Sequence, residues 1–308
     1  MEMDRRMLCG LFQDLTVTVL CDEPLARHTT WRIGGSADVM AVAETIEQVR
    51  SVLAVARRAG IPFFVLGRGS NLLVRDGGMR GLVIKLGEGL SEVSRNGGEI
   101  TALAGKGMVS TANIAIQNGL SGLEVATGIP GSVGGAVAMN AGAHGAEIRD
   151  VLRAATVLTV DGELLHVSTA DMGFAYRHSV VQEREWIVLS ATFALQPGDR
   201  TELRERSRAW SRRRRATQPL SLPNCGSVFR NPPGDHAARL LEAAGLKGLR
   251  IGNAAISDLH ANFIVNLGGA RAVDVLQLME RAAAEVWERF GVRLIPEVRL
   301  VGEDEARG

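Results

Sequence analysis

Apolar and polar positions follow several distinct rhythms along the chain. Residues 28–45, HTTWRIGGSADVMAVAET, begin as an extended, β-branched stretch broken by a turn at Gly34-Gly35. In residues 44–60, ETIEQVRSVLAVARRAG, the apolar residues Ile46, Val49, Val52, Leu53 and Ala56 recur at helical spacing, and Gly60 supplies a C-terminal stop. The runs IPFFVLG and GLVIKL then read as buried strands, giving a βαβ rhythm over the first third of the chain.

From about Gly89 to Leu195 the pattern changes. Short strand-like runs (EITALAG, ATVLTV, GELLHVS and WIVLSATFAL) surround one helical segment, STANIAIQNG, which predicts a second α+β subdomain. The segment QPGDRTE interrupts the pattern and marks a boundary near residue 198. Beyond it come a charged helix, TELRERSRAWSRRRRATQ, and a short helix, DHAARLLEAAG, with Asp235 as its N-cap and Gly245 after its end. A long helix follows, with Leu276, Met279, Ala283, Val286, Trp287 and Phe290 as its buried stripe, and VRLIPEVRLVG closes the chain as a strand. The expected division is an N-terminal segment 1–26, a two-part domain 27–198 (about 27–88 and 89–198) and a C-terminal domain 199–308.

Composition narrows the partners. With 46% apolar and 22% charged residues over 308 positions, the chain suits a soluble globular protein of two or three units. A net charge of +1 argues against holding nucleic acid or an anionic membrane, and 4% aromatics leaves little for base stacking. Cys9, Cys21 and Cys225 lack CxxC spacing and read as reduced thiols of a cytoplasmic protein. No HExxH or HxH pair suggests a metal, and no apolar run is long enough for a signal peptide or a bilayer span. The run Arg212–Arg215 reads as a solvated helix end favoured by the dipole.

Two stretches carry chemistry. Residues 128–145, GIPGSVGGAVAMNAGAHG, contain six glycines in eighteen residues. Either a phosphate approaches the bare backbone or a small-residue helix crosses a sheet closely; so many glycines favour the phosphate. Residues 65–74, VLGRGSNLLV, empty a strand into a second amide-rich loop with Ser70 and Asn71 beside it. Neither is a dinucleotide fingerprint. The GxG starts at 67, 87 and 105 have Leu72, Glu92 and Ser110 where the last glycine belongs, and no P-loop is present.

Seven motifs in order, HTTWRIGG, VLGRGSNLLV, GIPGSVGGAVAMNAGAHG, AYRHS, NCGSVFRNPPGDHAARLLEAAGLKG, SDLHANFIVN and IPEVRLVG, resemble the UDP-N-acetylenolpyruvoylglucosamine reductases over about residues 27–302. The resemblance implies an α+β, two-subdomain FAD-binding fold of the vanillyl-alcohol oxidase/p-cresol methylhydroxylase type plus a C-terminal α+β substrate domain. It also implies non-covalent FAD, with Gly67, Arg68, Gly69, Ser70, Asn71 and Leu72 on its pyrophosphate. Gly128, Ile129, Pro130, Gly131, Ser132, Val133, Gly134, Gly135 and Ala136 are implied to share that contact.

The implied reaction passes hydride from NADPH to FAD and then to the enolpyruvyl β-carbon, forming UDP-N-acetylmuramate for peptidoglycan. Arg177 matches the arginine at the substrate carboxylate, Ser227 the proton donor to the α-carbon, and Glu297 the glutamate assisting the enediolate. Tyr176, Arg230, Asn231 and Asn262 are implied substrate contacts. Taken without the resemblance, the Tyr-Arg pair is a surface salt bridge, Ser227 a turn residue and Glu297 an edge-strand carboxylate. Only HSVVQERE separates Arg177 from the next strand, and Tyr176 is the sole tyrosine, so the chain looks like the shorter class without a tyrosine-bearing lid. Monomeric, cytoplasmic behaviour is expected. The alternatives are an FAD oxidase or dehydrogenase acting on a hydroxy acid or alcohol, and a nucleic-acid binder using the arginine run.

Overall fold

The computed structural model describes residues 5–143 and 145–305; residues 1–4 of the expected N-terminal segment, His144, and the last three residues of the expected C-terminal domain lie outside them. Contacts group the chain into two compact units, each discontinuous in sequence. The first comprises residues 1–21, 39–68 and 81–214, and the second 22–38, 69–80 and 215–308.

The first unit contains the βαβ rhythm. The helix Ile46–Arg58 starts where the Thr45 hydroxyl accepts the Gln48 N–H at 3.1 Å, and it buries Val49, Val52, Leu53 and Ala56. Truncating Leu53 to alanine there costs about 2–5 kcal/mol. The strand Phe63–Leu66 pairs in parallel with Met79–Leu86 at the edge of a four-stranded sheet, with no helix between the two strands in sequence. A five-stranded antiparallel sheet follows, ordered 164–168, 152–158, 187–194, 99–103, 93–96. The helix Met108–Gln117 and the short helix Val133–Ala138 lie in the same core. Both α+β patterns expected before residue 198 are therefore present.

The second unit gathers Trp31, Ile33 and Leu73 into one core with the helices Ala237–Ala243 and Ala272–Phe290. This is why the contacts depart from a linear division. The fully buried Trp31 donates its indole N–H to the Ile264 carbonyl at 2.9 Å, and Asn266 donates to the Trp31 carbonyl at 3.0 Å. Conversely, the charged helix Arg200–Thr217 belongs to the first unit as far as Arg214. There Ser207 donates to the Thr127 hydroxyl at 3.2 Å and Arg206 meets Glu124 at 3.2 Å.

Four local expectations are corrected. The long helix buries Val275, Leu278, Met279, Ala282 and Val286, while Trp287 is 56% exposed and Phe290 39%. Two adjacent apolar stripes share this helix, and periodicity does not choose between them. Asp235 is not the N-cap: that position is His236, and Asn231 Oδ1 accepts the Ala237 N–H at 3.1 Å while Asp235 pairs with Arg239. The terminal strand shrinks to Arg299–Val301, parallel to Leu72–Val74, because Pro296 interrupts it. Finally, Cys9 and Cys21 are joined in a disulfide with Cα atoms 6.1 Å apart, where their spacing suggested free thiols. The helix Arg5–Gly10 packs back against this unit's core, which spacing does not disclose.

Candidate active site

In the first unit the two glycine-bearing segments meet. A Cβ built on Gly67 would lie 2.4 Å from Ser132 Oγ, so a side chain there would displace the serine hydroxyl. Ser132 is buried at the start of the helix Val133–Ala138 and accepts the Gly135 N–H at 3.3 Å. Lys85 donates to the Gly67 carbonyl at 2.7 Å. Burial, and then the neighbouring charge of Arg68, holds the Lys85 ammonium below the usual lysine range.

The hydrogen bonds say which amides face outward. Gly131 gives its carbonyl to the Met108 N–H at 3.0 Å, and in a trans peptide the Ser132 N–H points the opposite way. By the same geometry, Lys85 on the Gly67 carbonyl turns the Arg68 N–H outward. In the second unit the Thr30 N–H donates to the Gly69 carbonyl at 3.1 Å. Gly69 holds φ +60, and a Cβ there would lie 2.2 Å from the His28 carbonyl oxygen, so only glycine fits. Asn71 gives its carbonyl to Arg299 at 3.0 Å and its side-chain N–H to the Glu297 carbonyl at 3.2 Å; Leu72 starts the short strand beside Arg299.

Several other amides of the glycine stretch are taken by the protein. Ile129, Val133, Gly134 and Ala136 donate to the carbonyls of Ala126, Lys106, Ala104 and Ser132. Gly134 also packs closely on Ala104: a Cβ there would come within 2.9 Å of the alanine methyl. Gly128 is half-buried and Pro130 exposed. Close packing thus accounts for Gly134, while the Ser132 N–H points away from the bond that its neighbour's carbonyl makes.

Arg177 lies on the first unit, at the tip of a turn closed by mutual backbone bonds between Ala175 and His178. Its φ of +56° is unusual for arginine and costs about 1–3 kcal/mol. Its guanidinium donates to the Gly142 carbonyl at 2.9 Å, stands 4.0 Å from Glu147, and lies 4.8 Å above the ring of Tyr176, itself 44% exposed.

Ser227, Glu297, Arg230, Asn231 and Asn262 lie on the second unit. The segment from Gly226 to Arg230 is laid between two others. Val228 donates to the Asn262 carbonyl at 2.9 Å, its own carbonyl accepts the Glu297 N–H at 2.8 Å, and Arg230 donates to the Ile295 carbonyl at 2.8 Å. Asn262 is 3% exposed and clamps Phe229 with both ends of its amide, accepting at 2.9 Å and donating at 2.8 Å. Arg230 Nε is buried and makes no hydrogen bond within the protein. Cys225 is buried, and burial followed by the nearby Glu297 charge pushes its thiol far up, so it stays protonated and packs as a small apolar group. Sequence patterning did not point to Lys85 beside Gly67 or to Glu147 beside Arg177.

Among the described residues no group of three or more His, Cys, Asp or Glu side chains is disposed to hold a metal ion, and no helix is long and apolar enough to cross a membrane.

Two family models match the chain: FAD binding domain over residues 37–168, and UDP-N-acetylenolpyruvoylglucosamine reductase, C-terminal domain, over residues 218–301. A UDP-N-acetylenolpyruvoylglucosamine reductase of Rubrobacter xylanophilus is 48% identical over 96% of this chain and 99% of its own. The chain belongs to the UDP-N-acetylenolpyruvoylglucosamine reductase family. A second relative so named, from Caldanaerobacter subterraneus, is 45% identical over 92% of this chain and 93% of its own. The solved reductase of Thermus caldophilus superposes with a TM-score of 0.79 at 38% identity, covering 92% of this chain and 98% of that one. The α+β class with an FAD-binding domain and a reductase C-terminal domain is the one expected from sequence.

Proposed function

We propose that this family member is a monomeric cytoplasmic enzyme that uses NADPH and FAD to reduce UDP-N-acetylenolpyruvoylglucosamine to UDP-N-acetylmuramate. The observation that carries this is the pair of family models on one chain, one for the cofactor and one specific to this reductase. The domain roles follow them: the region within 27–198 holds FAD and the region within 199–308 takes the substrate.

The residues present fit an FAD pyrophosphate. Gly67 and Ser132 approach closely within the first unit, and the N–H groups of Arg68 and Ser132 are turned outward by the carbonyl bonds beside them. These amides, with the Arg68 guanidinium and the Lys85 charge behind Gly67, would hold the phosphates. Bound there, FAD supplies a hydride carrier between NADPH and the substrate alkene.

The chain's own residues provide the rest. Hydride addition to the β-carbon of an enolpyruvyl group places negative charge on its carboxylate. The Arg177 guanidinium, held at Gly142 and above Tyr176, binds that carboxylate and stabilises the charge as it forms. Ser227 gives the proton to the α-carbon; serine is a weak acid, but an enediolate is basic enough to take it from a donor fixed by the flanking backbone bonds. Glu297, on the segment bonded to Val228, assists at the carboxylate end. The buried, unbonded Nε of Arg230 is a donor suited to a substrate oxygen, with Asn231 near it in sequence, while Asn262 acts by holding Phe229.

Anaerobic steady-state assays test this reading. NADPH consumption should depend wholly on added UDP-N-acetylenolpyruvoylglucosamine and yield a product two hydrogens heavier. Oxygen consumption driven by a hydroxy acid or alcohol, without NADPH, would support an oxidase instead.

A further inference from the structure

Asn140, the lone asparagine of the glycine-rich stretch, is fully buried and sits at φ +42°. Its carboxamide is used completely in one direction. Nδ2 donates to the Ala175 carbonyl and to Glu147 Oε2, both at 3.0 Å, and Oδ1 accepts the Arg149 N–H at 3.0 Å. Ala175 opens the turn that carries Arg177, and its carbonyl also accepts the His178 N–H that closes that turn. Ser179 and Gln182, beyond the turn, donate to the Ala138 carbonyl at 2.7 and 2.8 Å. The arginine turn is therefore pinned on both sides to the end of the helix Val133–Ala138.

Glu147 completes the set. Its carboxylate accepts from Asn140, pairs with Arg149 Nε at 2.8 Å, and stands within ion-pair range of Arg177 at 4.0 Å, with 15% of its side chain exposed. Gly142 makes room for this: a Cβ there would lie 2.9 Å from Glu147 Cγ and 3.2 Å from Arg177 Nη1. A guanidinium in a strained backbone needs such support, since an unpinned turn would relax into an ordinary conformation and swing the fork away.

We infer that Asn140 and Glu147 are positioning residues that hold Arg177 for the carboxylate of the substrate, the first by fixing its turn and the second by orienting its guanidinium. This rests on the reading of Arg177 given above. The test uses the oxidised holoenzyme and two ligands differing by the enolpyruvyl group, UDP-N-acetylenolpyruvoylglucosamine and UDP-N-acetylglucosamine, with affinities read from the perturbed flavin spectrum. In Arg177→Met the preference for the carboxylate-bearing ligand should collapse. In Glu147→Gln and Asn140→Gly, which keeps the positive φ accessible, it should fall roughly 10-fold. Affinity for UDP-N-acetylglucosamine, FAD content and the rate of flavin bleaching by NADPH should stay within about twofold. If Arg177→Met loses the preference while both other variants keep it, the inference is wrong and the role of Arg177 stands. Equal weakening of both ligands, with loss of FAD, would show general structural support and equally overturn it. If Arg177→Met itself keeps the preference, the assignment of Arg177 fails and this inference with it.

Discussion

The Glu297 N–H donates to the Val228 carbonyl at 2.8 Å, so the backbone of the proposed glutamate is bonded to the residue immediately after the proposed proton donor, Ser227. Two residues 70 positions apart in sequence thus share one short ladder, and a change in either segment is transmitted to the other.

That ladder gives a sharp comparison between Ser227 and Cys225. Ser227→Ala should leave flavin reduction by NADPH intact and slow product formation by roughly 10²-fold or more, whereas Cys225→Ala should slow neither step appreciably. Rapid-mixing absorbance of the two half-reactions decides it. The cysteine thiol is buried and kept protonated by its apolar surroundings and Glu297, which suits filling rather than proton delivery.

Asn262→Ala should destabilise the second unit by about 2–4 kcal/mol, because the Phe229 N–H and carbonyl both lose their partner in a buried setting. Denaturant titration reads the loss. Turnover should fall with it, since Ser227 lies two residues before Phe229.

His260 makes stability depend on mild acid. Burial lowers its pKa below 6.5, and its Nδ1 accepts the Asn262 N–H at 3.3 Å, so the native state favours the neutral ring. Below pH 6.5 the unfolded chain takes up a proton that the native chain refuses. This contribution is present above pH 6.5 and declines as pH falls toward the lowered native value. The denaturation midpoint should drop less between pH 7.5 and about 5.5 in His260→Gln than in the parent protein.

The Cys9–Cys21 disulfide predicts one titratable thiol per chain when the protein is unfolded without reductant, belonging to Cys225, and three after reduction. Closing a loop of this length contributes up to about 3 kcal/mol, so reduction should lower the melting temperature measurably.

Much of this architecture was legible in sequence because it rests on repetition. The helix Ile46–Arg58 shows its buried face at every turn, but the strand Phe63–Leu66 after it pairs with Met79–Leu86 and not with Ser36–Ala43 before it, which periodicity does not disclose. The long helix Ala272–Phe290 was legible as a helix but not in its rotation, since Trp287 and Val286 are equally apolar and only packing separates them. Trp31 looked like part of an N-terminal strand; its bond to Ile264, more than two hundred residues away, leaves no local trace. For the site, the glycines announced close approach without saying to what. Gly67 faces Ser132, Gly142 faces Arg177 and Glu147, and Gly134 faces Ala104. Asn140 was visible as an oddity, but its purpose lies in partners on a distant turn.

The central claim, that this chain delivers hydride to an enolpyruvyl sugar, is tested most directly by a single anaerobic turnover. Holoenzyme bleached with one equivalent of NADPH is mixed with UDP-N-acetylenolpyruvoylglucosamine in the absence of air. The account predicts prompt return of the flavin colour and one UDP-N-acetylmuramate formed for each FAD bound. A flavin that stays bleached until oxygen is admitted, with the enolpyruvyl sugar recovered unchanged, would contradict it.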